Sequence, residues 1–275
     1  MSLKNTRNEL INNGFIINKF ENINPLIKTR DLILNKLKKI LKTKKVNFKN
    51  YHKFVNDKKH KKIQWELASY FWRNNLHLEC AKGIKQFLFE NIGPDLLIQK
   101  KPFLRIARPN KINDNIGLHK DTLYGQSPYE MAIHIPFLDL NKKACLKFAS
   151  RTHLINEKKL KFKKIESKIL KGSKDHKLGK PYDPKIFDEK SYNIKSRPIK
   201  FGEYVFFTPA LIHGQSINYS NYSRFSIDLR VVSKFSPIKF NKGHNSNYIF
   251  FYKSSTQILV DNYFFKNKSK KLFFS

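Results

Sequence analysis

Cysteine is nearly absent from this sequence: Cys80 and Cys145 are the only two in 275 residues, and no CxxC occurs. A disulfide-built fold and a dithiol redox motif are therefore excluded, and a reducing, cytoplasmic setting is expected. Long apolar runs are missing as well. None approaches the roughly 20 residues a membrane-spanning helix needs. The opening stretch, MSLKNTRNELINNG, has no apolar core of the signal-peptide kind, so no export signal is expected. No internal repeat is visible. Acidic residues are scarce, 21 against 55 basic ones, for a net charge of +34. Such a field attracts anionic molecules and surfaces. Yet only nine of the basic residues are arginine, and the lysines are spread along the chain among many Asn and Ile. That pattern reads first as a compositional bias with a solvated lysine surface; a functional polyanion site is the other reading.

What the sequence has in quantity is aromatic side chains, 24 Phe and 12 Tyr, which favour β-structure. Residues 1 to 99 nevertheless read as mostly helical support. Leu32, Ile33, Leu37, Ile40 and Leu41 recur at helical spacing, and residues 61 to 93 read as one or two helices ended by Gly93-Pro94. From residue 100 the texture turns to strands: KPFLRIARPN, EMAIHIPFLDL, ACLKFAS, then one or two strands in 195 to 214. Residues 154 to 195 are basic, punctuated by Gly and Pro and without apolar periodicity, and read as a loop or lid inserted in a core spanning 100 to 235. Residues 236 to 275 read as further edge strands and a basic tail. The whole is expected to be a single domain, 1 to 275, of the α+β class: a mainly β core of roughly seven to nine strands forming a barrel or sandwich, with helices packed beside it.

One strand stands out. In RFSIDLR, Phe225, Ile227, Leu229 and Val231 alternate with Arg224, Ser226, Asp228 and Arg230, giving one apolar and one charged face. Eleven residues before Arg224 lies His213. Far upstream, His119 and Asp121 form an HxD pair, which an extended segment would set on one face. Two imidazoles and one carboxylate leave three positions of a metal open, the arrangement that suits non-haem Fe(II). An HxD pair alone is a weak signal. His77 and Glu79 repeat its spacing, but in a helical pattern where i and i+2 diverge, and are read as helix surface and core edge. His134 and His153 read as ordinary polar positions.

The ordered set, HxD, a distal His, then Arg on the next strand, resembles the 2-oxoglutarate/Fe(II) dioxygenases, in particular their phytanoyl-CoA hydroxylase-like branch. The resemblance runs over about residues 100 to 232, through LHKDTLYGQSPYEMAIHIPFLDLNKKACLKFASRTH. The Pro-Gly-Ser-His common in that branch is here Ala149-Ser150-Arg151-Thr152-His153. The resemblance implies a double-stranded β-helix (jelly-roll, cupin-like) barrel, with Fe(II) on His119, Asp121 and His213. It implies 2-oxoglutarate as cosubstrate with its distal carboxylate on Arg224 and Ser226, O₂ as co-reactant, and Arg105, Thr122, Tyr124, Gln126 and Arg230 as candidate substrate contacts. Gln215 and Asn218 are weaker candidates. Arg230 and Asp228 either reach substrate or pair with each other. Related halogenases carry a small residue where Asp121 stands, so hydroxylation, desaturation or ring closure is expected instead. HKDTLYGQSPYE and RFSIDLR further resemble members from antibiotic-sugar and surface-carbohydrate gene clusters, which implies a polar small molecule, anionic or carbohydrate. Two alternatives stay open. One is a nucleic-acid dealkylating relative, which carries two arginines six apart. The other is a catalytically inert cupin-like binding barrel.

Overall fold

The structure, a computed structural model, describes residues 3–163, 186–215, 217–237 and 247–266. Helix α1 (Leu3–Asn13) stops at Gly14, whose φ of 80° is costly for any residue with a Cβ. Strand β1 (Phe15–Lys19) follows. In α2 (Asn24–Leu41) Pro25 opens the first turn, and Leu26, Thr29, Ile33 and Leu37 share the buried face. Asn56 caps α3 (Asp57–Arg73) by accepting from the Lys59 amide, and α3 buries Ile63, Leu67, Ala68 and Phe71. Two short helices, α4 (Leu76–Lys82) and α5 (Lys85–Asn91), complete the helical layer.

Every strand pairing is antiparallel. The large sheet contains β1, β2 (Leu96–Gln99), β3 (Phe103–Ala107), β4 (Met131–Pro136), β9 (Glu203–Phe207), β11 (Arg224–Ser233) and β12 (Tyr248–Tyr252). Its order is β1-β9-β4-β11-β2-β12, with β3 also on β11. A three-stranded sheet runs β10 (Ile212–Gln215), β5 (Leu146–Ala149), β8 (Ile194–Ser196), and β6 (Phe162–Lys163) pairs with β7 (Ile186–Phe187). The two main sheets meet through aromatic rings. Phe148 of β5 stacks on Phe15 of β1 at 4.6 Å and meets Phe207 of β9 edge-on at 5.4 Å. The other face of the large sheet receives the helical layer. Phe48 and Tyr51 close on Phe225 at 4.7 and 5.2 Å, and Phe87 meets Phe206 at 5.1 Å.

β11 is therefore buried on both sides. Its apolar residues, Phe225, Ile227, Leu229 and Val231, are all fully covered, and so are Arg224 and Ser226 on the opposite face. Burying such a polar face requires partners for it, and those partners define the site below.

Several expectations need correction. The stretch 1 to 99, read as mostly helical, also contributes two strands to the large sheet: β1, five residues long and too short to show a period, and β2. The region from Asp57 to Asn91 holds three helices, because Asn75 in the left-handed conformation and Gly83 each break the run. Twelve strands are present among the described residues, since β6, β7 and β8 come from the stretch read as a loop. The centre of that stretch, 164–185, lies outside the described residues, as do 238–246 and the tail from 267. C-terminal to β12 the chain forms a helix, α6 (Ser255–Lys266), in place of a further strand. Among the described residues no helix is long and apolar enough to cross a membrane.

Candidate metal centre

His119 and His213 are brought face to face by an isolated antiparallel bridge in which each amide donates to the other's carbonyl, at 2.8 and 2.9 Å. Their rings stand 4.4 Å apart. Such an approach requires that the residue after His213 have no side chain. A Cβ on Gly214 would lie 2.6 Å from the Gly117 carbonyl oxygen and 2.8 Å from Leu118 Cα. Each imidazole is then oriented by a carbonyl two residues back. His119 Nδ1 donates to Gly117 O at 2.8 Å, and His213 Nδ1 to Leu211 O at 2.9 Å. With the proton on Nδ1, both Nε2 lone pairs are available to a cation.

Asp121 reaches the same point by a route the sequence did not suggest. Lys120 is extended, but Asp121 begins a single 3₁₀ turn through Tyr124, so the HxD pair sits at a strand-to-turn corner. Asp121 Oδ1 lies 3.3 Å from His119, while Oδ2 accepts from Arg230 Nη2 at 2.7 Å. One potential ligand atom from each of His119, Asp121 and His213 falls within 4.8 Å of the others. Burial pushes the Asp121 carboxyl up, but Arg230, His119 and His213 together hold it well below the usual carboxylate range. Burial, then the neighbouring His119, lowers His213 to about 4. An anionic Asp121 and a neutral His213 match the protonation state a divalent metal requires.

Arg224 lies fully buried behind this trio. It donates to Ala144 O at 2.8 Å, to Asn115 Oδ1 at 2.9 Å and to Gln215 Oε1. All three acceptors are neutral, and among the described residues Arg224 has no carboxylate in salt-bridge contact. Its Nε and the Ser226 hydroxyl are buried without a hydrogen-bond partner. A buried guanidinium with a free N–H next to an unpartnered hydroxyl fits a small carboxylate ligand. Burial lowers Arg224 to about 10, so it remains a cation at neutral pH.

The cavity at the trio is walled by Arg105, Asp228 and Arg230 from the large sheet and by Gly214 and Gln215 from β10. Arg224 and Ser226 stand behind that wall. Asp228 accepts from His134 Nδ1 at 2.6 Å and from Arg105 Nε at 3.1 Å. Burial raises the Asp228 carboxyl, and His134 and Arg105 more than reverse this. Arg230 also stands 3.9 Å from Glu130.

Not every candidate belongs to this wall. Thr122, Tyr124 and Gln126 are off it: the turn carries them away, and only Tyr124 returns, edge-on to His119 at 5.8 Å. Asn218 holds the backbone at Ala107 and Tyr222. Asp228 and Arg230 do not pair with each other, because each has a closer partner in the cross-strand register or on Asp121. His134 is not an ordinary polar position: it lies opposite Asp228 in the β4–β11 register. Its place among apolar neighbours in AIHIP was the available signal. Glu130 and Asn115 were missed and have no comparable signal. His77 is wholly core, with neither ring nitrogen partnered, and Glu79 pairs with Lys82 at 2.6 Å.

In architecture the chain is similar to solved non-haem oxygenases. It resembles apo ThoJ, a non-heme monooxygenase, with a TM-score of 0.55 at 14% identity over 91% of this chain and 85% of that one. The nickel complex of ThoJ gives 0.54 at 13% identity, over 92% and 85%. The non-heme alpha ketoglutarate dependent carbocyclase SnoK, from nogalamycin biosynthesis, gives 0.51 at 11% identity over 92% and 93%. No protein-family model matches the chain, and no curated protein does.

Proposed function

We propose that this protein is an Fe(II)- and 2-oxoglutarate-dependent oxygenase that hydroxylates a polar small molecule, its two main sheets forming a double-stranded β-helix. The observation that carries the reading is the pairing of two neighbouring features: three convergent ligand atoms on the cavity and, behind its Gln215 wall, a buried arginine facing only neutral oxygens. The shared architecture with ThoJ and SnoK supports it.

His119, Asp121 and His213 would hold the iron, and Arg224 with Ser226 would hold the distal carboxylate of 2-oxoglutarate. When bound, the pair supplies oxidation of an unactivated C–H bond. Overall, substrate, O₂ and 2-oxoglutarate become hydroxylated substrate, succinate and CO₂. The chain's own part is positioning. The two backbone carbonyls engage Nδ1 of both rings and so aim both Nε2 atoms at the site, and Arg230 keeps Asp121 ionised and its second oxygen occupied. Asp228 fixes Arg105 at the cavity wall, and the aromatic seam of Phe148 and Phe207 keeps water from the rear of the site. Arg230 is spent on Asp121 inside the protein, which weighs against its serving a nucleic-acid strand.

The test needs no substrate. Under anaerobic conditions Fe(II) and then 2-oxoglutarate are added, and the visible metal-to-ligand charge-transfer band is followed. The band is expected in the wild type, weakened in Arg224→Ala and lost in His213→Ala. Its absence from folded wild-type protein would reject the proposal and favour an inert binding barrel.

A further inference from the structure

Beside the metal cavity lies an open groove of about 900 Å³ between α3 and β3. It shares Arg105 and Ile116 with the metal cavity, so the two spaces have a common wall. The only two tryptophans of the chain, Trp65 and Trp72, both line it. Trp72 is fixed by its indole N–H on Pro102 O at 2.7 Å, and Trp65 stands edge-on to it at 5.6 Å with 67% of its surface exposed. An exposed indole on a rigid helix is a stacking platform for a flat ring.

The groove is also cationic. Five basic side chains and two carboxylates line it. Both carboxylates are already engaged: Arg108 holds Asp57 and Asp114 at 2.7 Å each, and Lys111 adds 3.2 Å to Asp57. Lys61 and Lys101 are exposed and have no carboxylate partner among the described residues. At the inner end, Phe103 carries Arg105 over its ring at 4.6 Å and Arg230 at 5.6 Å. Stacking face and cations share this groove, Lys101 standing over the Trp72 ring at 5.9 Å, and the groove meets the metal cavity at their common wall.

We infer that this groove binds the nucleoside diphosphate portion of a conjugated substrate, the base on Trp65 and the phosphates on Lys61 and Lys101, with the group to be oxidised passing Arg105 toward the metal. Only the last clause rests on the oxygenase reading. The size supports a single small ligand in place of a polymer, since pockets of roughly 300–1,000 Å³ enclose molecules of that class.

Because both tryptophans lie in the groove, intrinsic fluorescence reports its occupancy directly. The probe is UDP, titrated at low ionic strength into metal-free protein, with uridine and pyrophosphate as its two halves. UDP is expected to change the emission saturably and to bind more tightly than either half. Lys61→Glu/Lys101→Glu, both surface positions, is expected to weaken it by at least about tenfold. His213→Ala is expected to bind UDP as the wild type does while losing the charge-transfer band, so the two readings fail separately. No saturable change with UDP, an unaltered Kd in the charge-reversed variant, or pyrophosphate binding as tightly as UDP would each overturn the inference. Tighter binding of an octathymidylate than of UDP would overturn it in favour of a nucleic-acid groove.

Discussion

Replacing Arg230 by methionine removes an ion pair that reaches the trio of His119, Asp121 and His213. Arg230 Nη2 sits 2.7 Å from Asp121 Oδ2, with the two side chains 10% and 9% exposed. Methionine preserves the stem and removes the charge, leaving a buried carboxylate without its main partner. Loss of one member of a buried pair costs about 3–5 kcal/mol. The metal-free variant should therefore unfold at markedly lower urea than the wild type at pH 7.5. The pH dependence fixes the sign. In the wild type the folded Asp121 carboxyl titrates well below its unfolded value, so its contribution is complete above the unfolded value and is lost as acid approaches the folded one. In the variant burial dominates and the folded value rises, so the variant gains relative stability as pH falls. The gap should narrow between pH 7.5 and pH 5. Asp121→Asn in the same chain removes the stranded charge, so the double variant should lose less than the sum of the singles, by up to about 3 kcal/mol. Saturating Ni(II) should likewise restore Arg230→Met, since a cation bound only by the folded state stabilises it. Urea denaturation in EDTA and in Ni(II) measures all of this. A single variant within about 0.5 kcal/mol of wild type, or strictly additive singles, would refute the reasoning.

Other substitutions follow from the same geometry. Gly214→Ala drives a methyl into the Gly117 carbonyl, so it should lose about 1–3 kcal/mol and most metal affinity, read by thermal melts and metal titration. Arg224→Lys keeps the charge but not the fork, and should bind 2-oxoglutarate at least about tenfold more weakly while still loading metal, read by the charge-transfer band. Burial lowers His77 to about 4, so the unfolded chain takes up a proton between about pH 6.5 and 4 that the folded one refuses. Wild-type stability should fall with pH across that window, and His77→Leu should remove up to about 1.4 kcal/mol per pH unit of the slope; parallel urea midpoints at pH 7, 6 and 5 would contradict this.

The sequence carried the parts of this molecule that have a period or an order. The alternation of Phe225 to Val231 with Arg224 to Arg230 was visible because each side chain's direction follows from strand geometry alone. The order of His119, Asp121, His213 and Arg224 was equally readable. What stayed hidden depends on which strands pair. Arg105, Asp228 and His134 come from three strands whose lateral register no local pattern states, and the HxD corner depends on a backbone turn at Asp121. β1 and α6 were missed for a simpler reason: one is too short to show a period, and the other leaves Ile258, Leu259 and Tyr263 exposed instead of forming a buried stripe.

The carbonyls of Gly117 and Leu211 have a consequence for how such a site can change over time. Each imidazole takes its aim from a main-chain atom two residues upstream, and main-chain atoms survive almost any substitution. The residues that wall the cavity and line the groove contribute side chains instead, and those can be exchanged one at a time. The centre is thus insulated from drift in its surroundings, and the same trio can be presented to a differently shaped cavity and groove by altering only Trp65, Phe103, Lys101 and their neighbours.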